Sequence, residues 1–158
     1  MENNKQQAIF RVNGLDFKVD EEESELTYEK LNDGKLALYL EIQAFSGRYV
    51  SGKGEDEFED DIMPLLAPHT FEVEATAPSQ LLGWKYELAD IDTSLELEDD
   101  FYIFEHEPME SYRIEILELT ANKVHIHFAG MVVEDGYARP YTTVPAEIDC
   151  WVRLRETR

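Results

Sequence analysis

Apolar residues recur at every second position through most of the chain, which is the period of a half-buried β-strand. Between Ala8 and Val19 the alternation runs up to Asn13-Gly14 and resumes beyond it. Asn and Gly tolerate the positive φ angles of a type I′ turn, so the segment predicts a hairpin. In that register Val12 faces Leu15, Arg11 faces Asp16 and Phe10 faces Phe17. Residues 35–45 predict a long strand with Leu36, Leu38, Leu40 and Ile42 on one side and Tyr39, Glu41 and Gln43 on the other. Further strands are predicted at 69–76, 84–91, 94–97, 101–104, 112–119, 124–133 and 148–155. A short Thr120 to Lys123 turn joins the pair 112–119 and 124–133. Only two places invite a helix. Residues 55–66 put Phe58, Ile62 and Leu65 at helical spacing before Pro64 limits the run, and 78–82 suits a single turn. The pattern predicts an all-β, mainly antiparallel fold: a β-sandwich or partly open barrel of about eight to ten strands with one or two short helical turns. Residues 1–7 are expected to be a flexible N-terminal tail and 8–158 a single β-rich domain.

Composition narrows the partners. Asp and Glu number 35 against 14 Lys and Arg, a net charge of −21, yet 43% of residues are hydrophobic and 11% aromatic, too many for a disordered acidic tail. A field this negative repels nucleic-acid backbones and anionic membrane surfaces, so neither is an expected partner. The polar start lacks a signal-peptide pattern and no apolar run approaches the roughly 20 residues of a membrane span. The single Cys150 has no partner for an internal disulfide and fits a reducing compartment. A cytoplasmic location is the expectation.

Motifs that carry chemistry are sparse. Gly47 to Lys53 has the spacing of a phosphate-binding loop, but Gly54 stands where Ser or Thr would hold magnesium, and carboxylates follow where phosphates would approach. His125 and His127 lie on the same side of a strand. This His-x-His pair resembles that of cupin-class metal enzymes; the nearest downstream acid, Glu134, stands farther along than that motif wants, and His106 with Glu105 and Glu107 would complete a site if folding brings them close. With Val124, Ile126 and Phe128 facing the core, the competing expectation leaves both histidines on the polar face. No acidic segment has the order of an EF-hand loop, though looser calcium loops occur on β-sandwiches. There is no Gly-x-Ser-x-Gly, and Cys150 shares parity with Ile148, Val152 and Leu154, a core-facing position where a thiolate is disfavoured. With so many carboxylates, pairs at glycosidase spacing arise by chance. No cofactor is implied.

The distribution of charge says more. Acid gathers at 20–25, 55–61, 96–100 and 105–110, while Arg139, Arg153, Arg155 and Arg158 collect late in the chain. Like-charge repulsion opposes folding, and a cationic partner offsets it. Tyr49, Phe58, Tyr137 and Tyr141 lie in or beside polar loops and supply aromatic anchors. In charge, size and absence of catalytic motifs the chain is similar to acidic toxin-immunity proteins, which implies a non-enzymatic protein that neutralises or regulates a basic partner such as a nuclease-type toxin. The expected contact is Glu55, Asp56, Glu57, Phe58, Glu59, Asp60 and Asp61. The alternatives are a β-sandwich accessory domain that binds a ligand or metal, and a metal-dependent enzyme using His125 and His127.

Overall fold

A computed structural model describes residues 8–52 and 57–157, so Met1 to Gln7, the expected tail, lies outside the described residues, as do Glu55 and Asp56. The strands are β1 (Ile9–Val12), β2 (Leu15–Phe17), β3 (Glu25–Lys30), β4 (Leu36–Gln43), β5 (Gly47–Ser51), β6 (Phe58–Ile62) and β7 (Leu65–Ala67). They continue as β8 (Phe71–Val73), β9 (Lys85–Leu88), β10 (Asp100–Tyr102), β11 (His106–Glu107), β12 (Met109–Leu119), β13 (Lys123–Asp135) and β14 (Thr142–Glu156). The one α-helix among the described residues, α1 (Ile91–Leu97), follows β9, and short 3₁₀ turns cover Glu21–Glu23 and Pro78–Gln80. No described helix is long and apolar enough to cross a membrane.

The fold is all-β and mainly antiparallel, as the alternation predicts. One curled sheet runs β11-β10-β7-β4-β3-β14-β13-β12-β9, a partly open barrel, and the β5–β6 hairpin stands apart from it. Two long strands make the sheet branch. One edge of β14 pairs with β13 along its length, and its other edge serves β1 first and then, in parallel, β3. Strand β4 likewise divides one edge between β8 and β7. The branches account for more strands than the expected eight to ten, because short segments cap portions of long ones.

The first hairpin has its predicted register, with Phe10 opposite Phe17, Arg11 opposite Asp16 and Val12 opposite Leu15. Its turn requires φ +52° at Asn13 and +79° at Gly14, the left-handed region that glycine enters without a Cβ penalty. Inside the sheet a line of rings runs Phe10, Phe101, Phe128, Tyr112, Tyr86, with successive centroids 6.2, 6.1, 5.8 and 5.9 Å apart. These rings tie β1, β10, β13, β12 and β9 into one hydrophobic cluster.

Two elements differ from the expectation. The helix expected at 55–66 is replaced in its described part by β6 and β7. Glu59, Asp60 and Asp61 pair with Val50, Tyr49 and Arg48 of β5, and only Ile62 of β6 is buried. Phe58 is exposed and has no helical face to share with Ile62, while Pro64 disfavours helical backbone at Met63. The strand expected at 94–97 is the second half of α1. Asp90 caps this helix, accepting from the Asp92 N–H and the Thr93 hydroxyl, and Glu98 at φ +66° ends it. Leu95 and Leu97, which suggested strand alternation, point outward.

Candidate functional site: an acidic cleft with aromatic walls

A cavity of about 350 Å³ opens between β6, the segment joining β10 to β11, and the far end of β13. Phe58, Phe104 and Tyr137 supply its apolar lining. Asp60, Glu105, Glu107, Glu134 and Asp135 supply five carboxylates. The scaffold is local. Phe104 sits 5.6 Å from Phe58 and edge-on to Tyr49 at 5.8 Å, so β5 and β6 are anchored by the same ring that forms the floor. Tyr49 is fully buried and donates its hydroxyl hydrogen bond to Glu134, fixing that carboxylate at the cleft; burial and Glu134 together hold the phenol well above its ordinary value. Tyr137 is highly exposed, donates to Glu105 at 3.0 Å, and is positioned by its backbone N–H on Asp135 at 2.9 Å.

Glu107 lies against the backbone of Gly136, where an added Cβ would fall 1.9 Å from Oε2; glycine is what permits that approach. Burial first, and then the nearby Glu105 and Asp135, push the Glu107 carboxyl above its usual value, against a smaller opposing effect of Arg139. None of the ion pairs among the described residues involves the five cleft carboxylates. A shallower cavity adjoins, sharing Phe104, Glu105, Glu107, Gly136 and Tyr137, and Arg139 lies at its rim over the Tyr141 ring at 4.7 Å.

Of the expected contact residues, Phe58 and Asp60 line the cleft, Glu57, Glu59 and Asp61 are exposed beside it, and Glu59 pairs with Arg48. The run 105–110 and the Tyr137 segment, distant in sequence, converge on the same place. Glu134, weighed in the sequence only beside the histidine pair, and Asp135 are not among the expected contact residues; they are the last residues of β13, and only the antiparallel return of that strand brings them to β6. The remaining acidic runs go elsewhere. Glu25 of the first run holds Arg155 in a bidentate pair at 2.9 Å per bond and lies 3.5 Å from Arg153, so two of the late arginines are folded onto acid within the chain.

The run 96–100 contributes a second constellation. The side chain of Asp99 is fully buried and accepts from the His69 backbone N–H at 2.7 Å, the Ser94 hydroxyl at 2.8 Å and the Tyr112 hydroxyl at 2.9 Å; the His69 ring Nδ1 lies at 2.7 Å. These partners compensate a charge that would otherwise be strongly disfavoured in the interior.

The histidine pair also departs from expectation. Val124, Ile126 and Phe128 do face the core, but His125 is not on an open polar face: it is 2% exposed beneath Trp151, whose ring stacks on it at 5.3 Å and 19°. Its Nδ1 meets Glu118 at 2.9 Å and its Nε2 meets Asp149 at 2.5 Å, so both nitrogens are engaged by carboxylates. His127 Nε2 meets Glu147 at 2.9 Å instead of converging with His125. Among the described residues no group of three or more His, Cys, Asp or Glu side chains is arranged to hold a metal ion.

Comparison with protein-family models, with curated proteins and with solved structures finds no match to this chain.

Proposed function

We propose that the protein is a non-enzymatic binding protein that neutralises or regulates a basic protein, with a cationic side chain of the partner entering the cleft between Phe58, Phe104 and Tyr137. The observation that carries this reading is the cleft's composition: five carboxylates that form no ion pair with a base among the described residues, set around aromatic faces. A guanidinium or ammonium group entering it gains carboxylate contacts and cation–π attraction at once, while the exposed acids of β6 steer its approach. A nuclease-type toxin fits this chemistry, because its substrate groove is itself cationic.

Any strongly acidic protein attracts a polycation at low salt, so the discriminating variants are uncharged ones. Calorimetric titration with hexa-arginine amide should show binding that survives moderate salt and that weakens at least several-fold in Phe58→Ala and Gly136→Ala, the latter by displacing the Glu107 carboxylate from the place that Gly136 leaves open. Asp60→Lys should weaken it further. Equal binding by wild type, Phe58→Ala and Gly136→Ala would refute the cleft as the contact.

A further inference from the structure

The acid is not spread evenly, and four exposed or half-buried charges of the last ladder of the sheet, two acidic and two basic, balance. Strand β9 is the terminal strand there and pairs with β12 alone among the described residues. Lys85 lies opposite Glu115 and Glu87 opposite Arg113, two bases against two acids on the outer face of a protein whose net charge is −21.

The hydrogen-bond phase of this strand is fixed. Ile116 N–H donates to the Trp84 carbonyl at 2.9 Å, so in an antiparallel ladder Tyr86 and Leu88 also turn their backbone groups toward β12. Lys85 and Glu87 therefore turn theirs outward, to the free edge. Their side chains are exposed as well.

We propose that β9 pairs with β9 of a second copy, antiparallel about a two-fold axis at Tyr86, to join the two sheets into one. In that register Lys85 of each copy stands opposite Glu87 of the other. The outward N–H and C=O groups of those residues form the bonded pairs, and the side chains form two complementary ion pairs on the outer face. The two-fold axis repeats each cross-strand pair, so the order Lys-Tyr-Glu supplies both complementary pairs at once. Apolar surface flanks the edge at both ends. Leu82 precedes β9 and is 59% exposed, and Leu95 of α1 follows it at 57%. The two-fold axis brings the Leu82 end of one copy toward the α1 end of the other. Lys85, Glu87, Arg113 and Glu115 balance one another, so the paired strands themselves add no net repulsion between two anionic molecules.

The test uses sedimentation velocity on the full chain at about 0.15 M salt, where charges farther apart than about 8 Å are largely screened. Wild type should dimerise in a concentration-dependent way. Lys85→Glu and Glu87→Lys should each weaken the dimer about tenfold, since each turns two attractive cross-strand pairs into like-charge pairs. The Lys85→Glu/Glu87→Lys double variant should restore it. The single variants shift net charge in opposite directions, so an effect of global charge alone would move them oppositely. Hydrogen exchange gives an independent readout: the Lys85 and Glu87 amides should slow as concentration rises. A wild type that stays monomeric, single variants that follow net charge, or failure of the double variant to restore the dimer would each overturn the proposal. So would Lys85 and Glu87 amides that exchange equally fast at all concentrations.

Discussion

Replacing His125 with Gln should remove a pH-dependent part of the stability. The imidazole is enclosed by Trp151, contacts a carboxylate at each nitrogen, and has Glu115 and Asp149 across from its neighbour His127 on the flanking strands. Burial disfavours the imidazolium and is the largest single influence, but the hydrogen bonds and charges of Asp149 and Glu118 together outweigh it, so the pKa is raised above the usual 6.5. With a folded pKa above the unfolded one, the protonated pair stabilises fully below about pH 6.5 and that stabilisation is lost as pH rises through the folded value.

The magnitude follows from exposure. A hydrogen bond to a charged group is worth about 1.5–3 kcal/mol. Asp149 is 21% exposed and keeps most of that, whereas Glu118 is 59% exposed and water screening leaves its contact under about 1 kcal/mol. After the cost of burying the cation, about 1–3 kcal/mol remains at pH 6. For a domain of this size each kcal/mol moves Tm by roughly 2–4 °C. The wild type should thus melt several degrees above His125→Gln at pH 6, and the gap should narrow steadily toward pH 9. The difference between the two proteins cancels every titration they share. A gap that is constant with pH, or an NMR titration placing His125 at or below 6.5, would refute the reasoning.

Truncating Asp99 to Ala should cost about 2–4 kcal/mol in urea unfolding, because the Ser94 and Tyr112 hydroxyls and the His69 backbone N–H lose a shared buried acceptor together; Tyr112→Phe should cost only about 1–2 kcal/mol. The Cys150 thiol, pushed up to about 12 by burial and then by Asp149 and Glu21, should resist a disulfide-exchange reagent at pH 8 until the protein unfolds. Fast labelling of the native protein would contradict that burial. Gly14→Ala should destabilise by about 1 kcal/mol through its φ of +79°, measured as a shift of the urea midpoint at unchanged slope.

What the chain disclosed directly was local. Asn13-Gly14 carries its own turn geometry, and the alternation in β4 and β12 survives because each of those strands has one face on the core. Misreadings occurred where a short apolar period fitted two structures. Phe58, Ile62 and Leu65 match a helix, and the deciding fact was a partner, β5, supplied by residues 47–51. Leu95 and Leu97 match a strand, although the Asp90 cap was there to be read. The buried polar clusters were not legible at all. His125 acquires its burial from Trp151 on β14 and its partners from β12 and β14, and Asp99 gathers His69 from thirty positions earlier. No spacing along the chain encodes contacts that the ladder and the crossing loops create.

The same pairing gives the acidic excess its meaning. As a bare count, 35 acids against 14 bases do not say which carboxylates are paired and which are not. Folding sorts them. Arg155 and Arg153 are drawn onto Glu25, Lys35 onto Glu74, Arg48 onto Glu59 and Arg11 onto Asp16, so bases are committed to pairs within the chain. The carboxylates around Phe104 are left without such a pair among the described residues, and the repulsion of Glu105 and Asp135 adds to burial in raising the Glu107 pKa. A cation placed there would relieve that repulsion as well as form its own contacts. Its binding should therefore lower the Glu107 pKa and release protons near the carboxyl range. A titration with hexa-arginine amide run in two buffers of different ionisation heat would read that release as a difference in apparent enthalpy. Identical enthalpies in the two buffers at pH 5 would mean that Glu107 does not sense the ligand, and the cleft would not be where the cation sits.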